Sequence, residues 1–270
     1  MLKSLIKEFL PPVVIKLYQK IKRISYGWHG DYSTWEDAQK SSTGYDSSII
    51  LEKVRSALLK VKAGNAVYER DSVLFDDVQY SWPLLAGLMF GCAKSGGNLK
   101  VLDFGGSLGS TYYQNKKFLD LLDYVSWSIV EQKHFVDAGK QDFEDGRLKF
   151  FYDIETCIEK EKPNILLLSG VLQYIKNPYT LLDEILKYNF DYIVLDRTPF
   201  VDKENDILTC QKVPDIIYSA SYPHWFFNYN KMKDYFLTKD YVVIQDFAGN
   251  DGMSSWYQFK GIVMRRKNVF

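Results

Sequence analysis

An acidic residue, a glycine-rich turn and a helix start follow one another in the sequence KVLDFGGSLGS, which occupies residues 100–110. The apolar run that ends in Asp103 predicts a buried strand. Gly105, Gly106 and Gly109 would let the backbone turn sharply and approach a ligand closely. In open parallel sheets, ligands bind at the carboxyl ends of the strands. The segment therefore predicts a loop that binds a nucleotide cofactor.

Three strand-end acids indicate which cofactor this loop would hold, because a dinucleotide and S-adenosylmethionine both fit the glycines. Asp103 would repel a pyrophosphate but tolerates an ammonium and a sulfonium group. Glu131 ends the next predicted strand, where a carboxylate can accept both ribose hydroxyls, although dinucleotide sites also carry such an acid. Asp153 ends the third strand, where it can meet the adenine amino group. The alternative for all three acids is that they cap helices.

A second group of residues is predicted to bind an acceptor molecule or to take a proton from it. His224 is predicted to lie in a long loop after the fifth strand and to act as general base, because histidine titrates near neutral pH. A structural histidine held among aromatic rings is the alternative. Arg197 follows the fifth strand and can bind a phosphate or carboxylate bidentately, or it pairs with Asp196 or with an acid of the N-terminal region. Arg70 is expected in the same pocket.

Aromatic side chains could line the acceptor pocket, although simple packing in the core is the commoner role. Four of them are candidates for a flat wall against a sugar ring: Tyr80, Trp82, Tyr222 and Trp225. His29 is the second choice for a general base, and His134 is expected to have a structural role near the start of a helix.

The elements that position these residues alternate between strand and helix after residue 98. Segments predicted as strands are 100–103, 125–130, 148–152, 163–169 and 191–196. Helices are predicted near 111–122, 134–143 and 179–188. This alternation predicts a parallel, doubly wound, Rossmann-like sheet. A helix near 230–238 precedes strands 241–247 and 256–265, whose short connection predicts a hairpin and an antiparallel last strand.

The first 96 residues show no strand-like alternation and predict a helical cap, with helices at 47–62 and 82–92 and a short helix from Trp35. The expected domains are a basic segment 1–26, a cap and acceptor region 27–96 and a cofactor-binding domain 97–270. Residues 1–24 are basic and amphipathic, which predicts either contact with an anionic membrane surface or packing on the domain or on a second copy of the chain.

Composition excludes several classes of protein. The chain has 270 residues, 46% of them hydrophobic, with 34 basic and 34 acidic side chains. This balance, without a basic stripe after residue 24, argues against nucleic-acid binding. Cys92, Cys157 and Cys210 lie far apart in the sequence, so no metal site or disulfide framework is predicted and a cytoplasmic location is expected, with peripheral contact to the inner membrane as the alternative.

Two segments of the chain resemble motifs of a known family. The segment VLDFGGSLG, residues 101–109, is similar to the first motif of class I S-adenosylmethionine-dependent methyltransferases, except that Ser107 stands where a second glycine is common. The segment SGVLQYIKNP, residues 169–178, resembles the motif after the fourth strand. The resemblance implies S-adenosylmethionine as cofactor and S-adenosylhomocysteine as product. It implies these cofactor contacts: Asp103, Gly105, Gly106, Ser107, Gly109, Glu131, Gln132, Asp153, Ser169 and Gln173.

More narrowly, blocks along nearly the whole chain, above all YERDSVLFD at residues 68–76, resemble a bacterial family of predicted methyltransferases that accompany surface-polysaccharide biosynthesis. This likeness and the basic N-terminus together favour O-methylation, or N-methylation, of a sugar, a sugar phosphate or a glycan-linked group. His224, Arg197 and Tyr222 are the candidate catalytic residues because of their positions after the fifth strand.

Two other functions stay open. An NAD-dependent sugar oxidoreductase or epimerase would need a catalytic tyrosine–lysine pair, for which Tyr229 and Lys233 have the spacing but come late in the chain. A non-catalytic protein that kept the fold is the third hypothesis, and Ser107 is the motif departure that favours it.

Overall fold

A computed structural model describes residues 26–44, 47–214 and 220–269. The basic segment 1–24 therefore lies outside the described residues. The described strands are β1 Gly27–His29, β2 Tyr68–Arg70, β3 Val73–Phe75, β4 Asn98–Phe104, β5 Tyr124–Val130, β6 Leu148–Phe151, β7 Ile165–Ser169, β8 Tyr192–Val201, β9 Ile207–Lys212, β10 Ser221–Asn228, β11 Tyr241–Met253 and β12 Tyr257–Arg266.

The described helices begin and end close to their predicted positions. They are α1 Trp35–Lys40, α2 Ser47–Lys62, α3 Trp82–Lys94, α4 Ser110–Leu119, α5 Lys133–Asp142, α6 Ile154–Glu161, α7 Pro178–Leu186 and α8 Tyr229–Thr238. Thr34 caps α1, because its side chain accepts a hydrogen bond from the backbone N–H of Asp37. Helix α6 was not predicted from the sequence.

The chain divides into two compact units. The larger comprises Ser47–Ile207 and Trp225–Phe270 and contains a sheet with the strand order β6-β5-β4-β7-β8-β12-β11. Neighbours from β6 to β8 are parallel, whereas β12 is antiparallel to both β8 and β11. This sheet confirms the predicted fold class, a mostly parallel Rossmann-like sheet with an antiparallel last strand.

The centre of this sheet is apolar because each central strand is covered on both faces. Leu102 on β4, four consecutive residues of β7 (165–168) and Ile193–Leu195 on β8 have no exposed surface. Helix α3 packs closely on the sheet through two glycines. A Cβ added to Gly91 would lie 2.7 Å from Cδ1 of Ile165.

Two features of the larger unit differ from the prediction. The region before residue 98 is not wholly helical, because β2 and β3 form a two-stranded hairpin within the YERDSVLF block. Strand β8 continues to Val201 rather than ending at Asp196, and the end of β10 pairs with it in parallel, Phe227 opposite Phe200. The longer β8 carries Arg197 within a strand instead of in a loop.

The smaller unit consists of the described parts of Met1–Asp46 together with Leu208–His224. Strand β1 pairs with β9 in antiparallel fashion, with Trp28 opposite Gln211. Thr43 and Ser221 bind each other twice: the N–H of Thr43 donates to Ser221 Oγ at 2.8 Å, and the N–H of Ser221 donates to Thr43 Oγ1 at 3.0 Å. The region 201–229, predicted as a loop, is therefore largely β-structure.

These units do not coincide with the expected domains 1–26, 27–96 and 97–270. Helices α2 and α3 belong to the same unit as the large sheet, since α2 packs on α5 through an ion pair between Arg55 and Asp142 and α3 packs on β4. Residues 208–224 leave that unit because they pair with the N-terminal strand β1. None of the described helices is long and apolar enough to cross a membrane.

Gly139 tests the packing of α5 on the sheet. A Cβ at this position would lie 2.4 Å from Cδ1 of Phe150, a ring on β6 that is almost fully buried. We expect Gly139→Ala to lower the free energy of unfolding by about 1–3 kcal/mol through overpacking, although alanine normally favours a helix. Gly146→Ala is the control, because no atom lies within 4 Å of its Cβ position. Equal urea-unfolding midpoints for the two variants would contradict this packing.

Candidate functional site

The glycine loop after β4 forms a tight cradle. The N–H of Gly105 donates to the carbonyl of Val130 at 3.0 Å, which joins the loop to the end of β5. Gly105 has φ 72° and Gly109 has φ 100°, both in the left-handed region. A Cβ on Gly106 would lie 2.6 Å from Cγ of Asp103. The loop can therefore approach this carboxylate only because residue 106 has no side chain.

Asp103 lies at the end of β4 and is 1% exposed. Its Oδ2 accepts a hydrogen bond from Nε1 of Trp127 at 3.0 Å. Burial raises the pKa of Asp103 to about 7, although the Trp127 hydrogen bond acts in the opposite direction. A buried acid whose charge is this poorly compensated favours a nearby cation.

Glu131 follows β5, beside the glycine loop. Its Oε2 accepts a hydrogen bond from the N–H of Gln132 at 2.6 Å. Burial raises the pKa of Glu131, while backbone hydrogen bonds from Gln132 and Ser107 lower it. The loop thus contacts this second acid through Ser107. The side chain of Glu131 is half-buried, so part of it stays accessible.

Asp153 has the role given by the alternative interpretation of the strand-end acids. Its Oδ1 accepts from the N–H of Thr156 at 2.7 Å and its Oδ2 from the hydroxyl of the same residue at 3.0 Å. These bonds cap α6 and lower the pKa of Asp153. Both oxygens are engaged in the cap, so contact with adenine stays only a prediction.

Ser169 and Gln173, which were predicted to follow the fourth strand, both contact β8. Ser169 is opposite Asp196 in the β7–β8 ladder, and its Oγ donates to Asp196 Oδ2 at 3.4 Å. Gln173 is buried and donates from Nε2 to the carbonyl of Arg197 at 3.1 Å. Within the described part of the chain its Oε1 has no hydrogen-bond partner.

A cleft of about 420 Å³, part of it open to solvent, lies next to these residues within the larger unit. Its lining comes from the β2–β3 hairpin, the first turns of α4, the end of β7, the middle of β8 and the β11–β12 hairpin. Among the lining side chains are Arg70, Ser110, Ser169, Asp196, Arg197 and Asp251. Arg70 and Arg197 therefore lie at one cleft, whereas their part in binding an acceptor stays a prediction.

Arg197 is paired with two carboxylates, neither of them Asp196. Its Nη2 lies 2.6 Å from Oδ2 of Asp71, and its Nε lies 3.0 Å from Oδ2 of Asp251. The two carboxylates raise the pKa of Arg197 further above its ordinary value. Arg197 and Asp71 both have positive φ, 51° and 52°, a strained backbone that concentrates at functional sites. An anionic acceptor would have to displace two acids that already neutralise Arg197.

Glu69 was not predicted as a site residue, yet it joins the hairpin to the glycine-loop helix. It is 1% exposed, and its two oxygens accept from Ser110 Oγ and from the N–H of Ser72, both at 2.6 Å. Burial raises its pKa to about 7. The YERDS block was the available signal, but a single sequence does not show which residue each acid contacts.

His224 does not lie in a loop, contrary to the prediction. It lies on β10 in the smaller unit, with no exposed surface and its ring 5.4 Å from that of Trp28. Burial lowers its pKa to about 3, so the imidazole is neutral at physiological pH. Tyr222 lies on the same strand and is half-buried, and His29 is exposed on β1. The structure does not test their roles as acceptor-site residues.

The remaining aromatic and histidine candidates lie in different surroundings. Tyr80 and Trp82 form a ring cluster with Phe118, with 4.8 Å between the Tyr80 and Trp82 centroids, and Trp82 is 58% exposed. Trp225 instead donates from Nε1 to the carbonyl of Ile175. His134 lies in the first turn of α5, as expected, against Phe135.

No family profile and no curated protein matches the chain. Among solved structures, the N-terminal domain of EvdMO1, determined with S-adenosylhomocysteine and D-fucose, matches with a TM-score of 0.50 and 14% identity over 82% of this chain and 97% of that one. Magnesium protoporphyrin IX methyltransferase from Synechocystis PCC 6803 matches with a TM-score of 0.47 and 10% identity over 83% of this chain and 99% of that one.

The chain has the Rossmann-like fold of class I methyltransferases. At such low identity the likeness concerns the fold alone. The chemistry of the site must therefore be inferred from the residues of this chain.

Asp103→Asn tests the poorly compensated carboxylate. Between the ordinary aspartate pKa of about 4 and its raised value, the folded state binds more protons than the unfolded state, so this residue makes stability fall as pH rises. We expect the variant to gain stability relative to the natural protein between pH 5 and pH 8, by several degrees in melting temperature. Buried His224 acts in the opposite direction but cancels in the comparison. A pH-independent difference would contradict the assignment.

Ser107→Gly tests the departure from the glycine motif. Ser107 has φ 55°, which costs a non-glycine residue about 1 kcal/mol. We expect the glycine variant to bind S-adenosylhomocysteine as tightly as the natural protein does. Its unfolding midpoint should lie at an equal or higher denaturant concentration than that of the natural protein. Lost affinity would show instead that the Ser107 side chain is needed for binding.

Proposed function

We propose that this protein is an S-adenosylmethionine-dependent methyltransferase that acts on a hydroxyl group of a sugar or glycan-linked acceptor. The buried carboxylate of Asp103, packed against Gly106 at the carboxyl end of β4, carries the proposal. It lies where a cofactor binds in this class of sheet. Among the residues that the structure describes, no basic side chain offsets the burial of this carboxylate.

The residues present fit the cofactor. The cradle at Gly106 leaves room for backbone approach to a ligand, and any larger residue would meet the Asp103 carboxyl. Asp103 supports an ammonium group, and half-buried Glu131 offers a carboxylate for ribose hydroxyls. Two acids also disfavour the pyrophosphate of a dinucleotide.

When bound, S-adenosylmethionine supplies an electrophilic methyl carbon. The protein's own contribution is to hold an acceptor atom in line with that carbon and to exclude competing water. Ser110 and Ser169 line the cleft, and they begin or end the elements on which the cofactor contacts are expected. The cleft is therefore suitably placed for the acceptor.

Two observations support a sugar acceptor. The blocks of sequence along the chain resemble a family found with surface-polysaccharide biosynthesis. The N-terminal domain of EvdMO1, which shares the fold, was determined with D-fucose as well as S-adenosylhomocysteine. We include a role in bacterial surface polysaccharide, with residues 1–24 at the membrane surface, in the proposal.

The oxidoreductase alternative is weakened by Tyr229. Its hydroxyl donates to Asp246 Oδ2 at 2.6 Å, and burial together with this bond raises the Tyr229 pKa. A tyrosine base requires the opposite shift.

Titration calorimetry with S-adenosylhomocysteine tests the proposed function. We expect the natural protein to bind it and not to bind NAD. Asp103→Ala and Glu131→Ala should each weaken binding at least tenfold, or ~1.4 kcal/mol. Asp191→Ala is the matched control, because Asp191 precedes β8 at the amino end of that strand, away from the carboxyl ends at which the cofactor is expected. The affinity of this variant should stay within a factor of about two.

Unchanged affinity in both the Asp103 and Glu131 variants would overturn the cofactor site. Binding of NAD would favour an NAD-dependent oxidoreductase instead. Binding of neither ligand would favour the non-catalytic alternative.

A further inference from the structure

The carboxylate of Asp196 lines the cleft but has no role in the cofactor site. It lies on β8, opposite Ser169 in the neighbouring strand, and it is 4% exposed. Its hydrogen bonds come from Ser169 Oγ, at 3.4 Å, and from the backbone N–H of Arg197. The Ser169 bond is long, which leaves the carboxylate weakly satisfied and able to accept a further proton donor.

Carboxylates outnumber guanidinium groups in and around the lining near Asp196. Arg197 is held between Asp71 and Asp251, and Arg70 lies over the ring of Phe75. Glu69 adds a buried acid behind the hairpin. With two arginines against several carboxylates, the reacting end of the cleft disfavours a phosphate.

The lining of the cleft also includes an aromatic residue, Tyr68 on β2. An aromatic face binds the C–H face of a sugar by burying apolar area. Acidic side chains and an aromatic residue in one lining together suit an uncharged, hydroxyl-bearing ring.

We propose that this cleft is the acceptor site, that it takes an uncharged sugar ring at its reacting end, and that Asp196, rather than His224, is the general base. The inference rests on the proposed function and deepens it. Any phosphate of the acceptor would remain outside the cleft.

The reaction balances with the groups named. The acceptor oxygen forms a bond to the methyl carbon as the carbon–sulfur bond breaks and its electron pair goes to sulfur. The hydroxyl proton passes to the carboxylate of Asp196, which later releases it to water. Burial raises the Asp196 pKa to about 6, and a base with a pKa near the working pH transfers protons efficiently.

The experiment measures the melting temperature of the S-adenosylhomocysteine-saturated protein with millimolar neutral methyl hexosides, and with inorganic phosphate at matched ionic strength. We expect at least one hexoside, but not phosphate, to raise the melting temperature. Asp196→Asn should retain S-adenosylhomocysteine affinity, which shows that it folds, and should lose most of the hexoside response. Asp191→Asn, in the residue before β8 at its other end, should behave like the natural protein.

The hexoside that binds is then used with methyl-labelled S-adenosylmethionine. Asp196→Asn should lower the transfer rate by about 10²–10⁴-fold, and Asp191→Asn should not. In the natural protein the rate should rise with pH through the Asp196 pKa. Stabilisation by phosphate, no response to any hexoside, or an unaffected Asp196→Asn would overturn the inference. Failure to bind S-adenosylhomocysteine at all would overturn the proposed function instead.

Discussion

The cofactor site proposed for the larger unit depends on one unfavourable arrangement, the burial of the Asp103 carboxylate. The side chain is held by one indole N–H, from Trp127, and it lies against a glycine where any other residue would displace it. An ionised group in such surroundings costs free energy unless a cation accompanies it. The central strands on either side of β4 keep water away and maintain that cost. A folded protein tolerates this where the missing cation arrives as part of a ligand.

The charged groups of the cleft beside Asp196 and Arg197 are arranged differently. There the charges are paired within the protein, because Arg197 bridges the β2–β3 hairpin and the β11–β12 hairpin through Asp71 and Asp251. The strained backbone at Asp71 and Arg197 is stabilised by those ion pairs. One region of the unit thus offers a buried, unpaired acid, and its neighbour offers a hydrogen-bonding surface in which carboxylates outnumber cations. This division suits a cationic cofactor next to an uncharged acceptor.

Apolar runs that end in acids or glycines were sufficient to predict the Rossmann-like sheet and the position of Asp103 and Glu131 in it. Strands β9 and β10 were missed because neither sequence, ILTCQK or SYPHWFFN, alternates clearly between apolar and polar residues. Strand β10 also contains a proline, so His224 was placed in a loop. The partners of Arg197 were also unpredictable. Asp71 and Asp251 lie 126 and 54 residues away in the sequence, and only the folded hairpins bring them to one guanidinium. Short-range patterns specify elements, whereas ion pairs between distant loops depend on the complete topology.

The hydrogen bond from Ser110 to Glu69 has a thermodynamic consequence. Ser110 opens the helix that follows the glycine loop, and Glu69 fixes the hairpin that carries Asp71. This bond joins the helix after the loop to the hairpin that lines the cleft. If ligand binding at the loop changes the hairpin, the two sites become thermodynamically coupled, and each ligand changes the affinity for the other by the same factor. A ligand at the loop would then set the affinity of the cleft for its acceptor, and the acceptor would set the affinity of the loop for its ligand in equal measure.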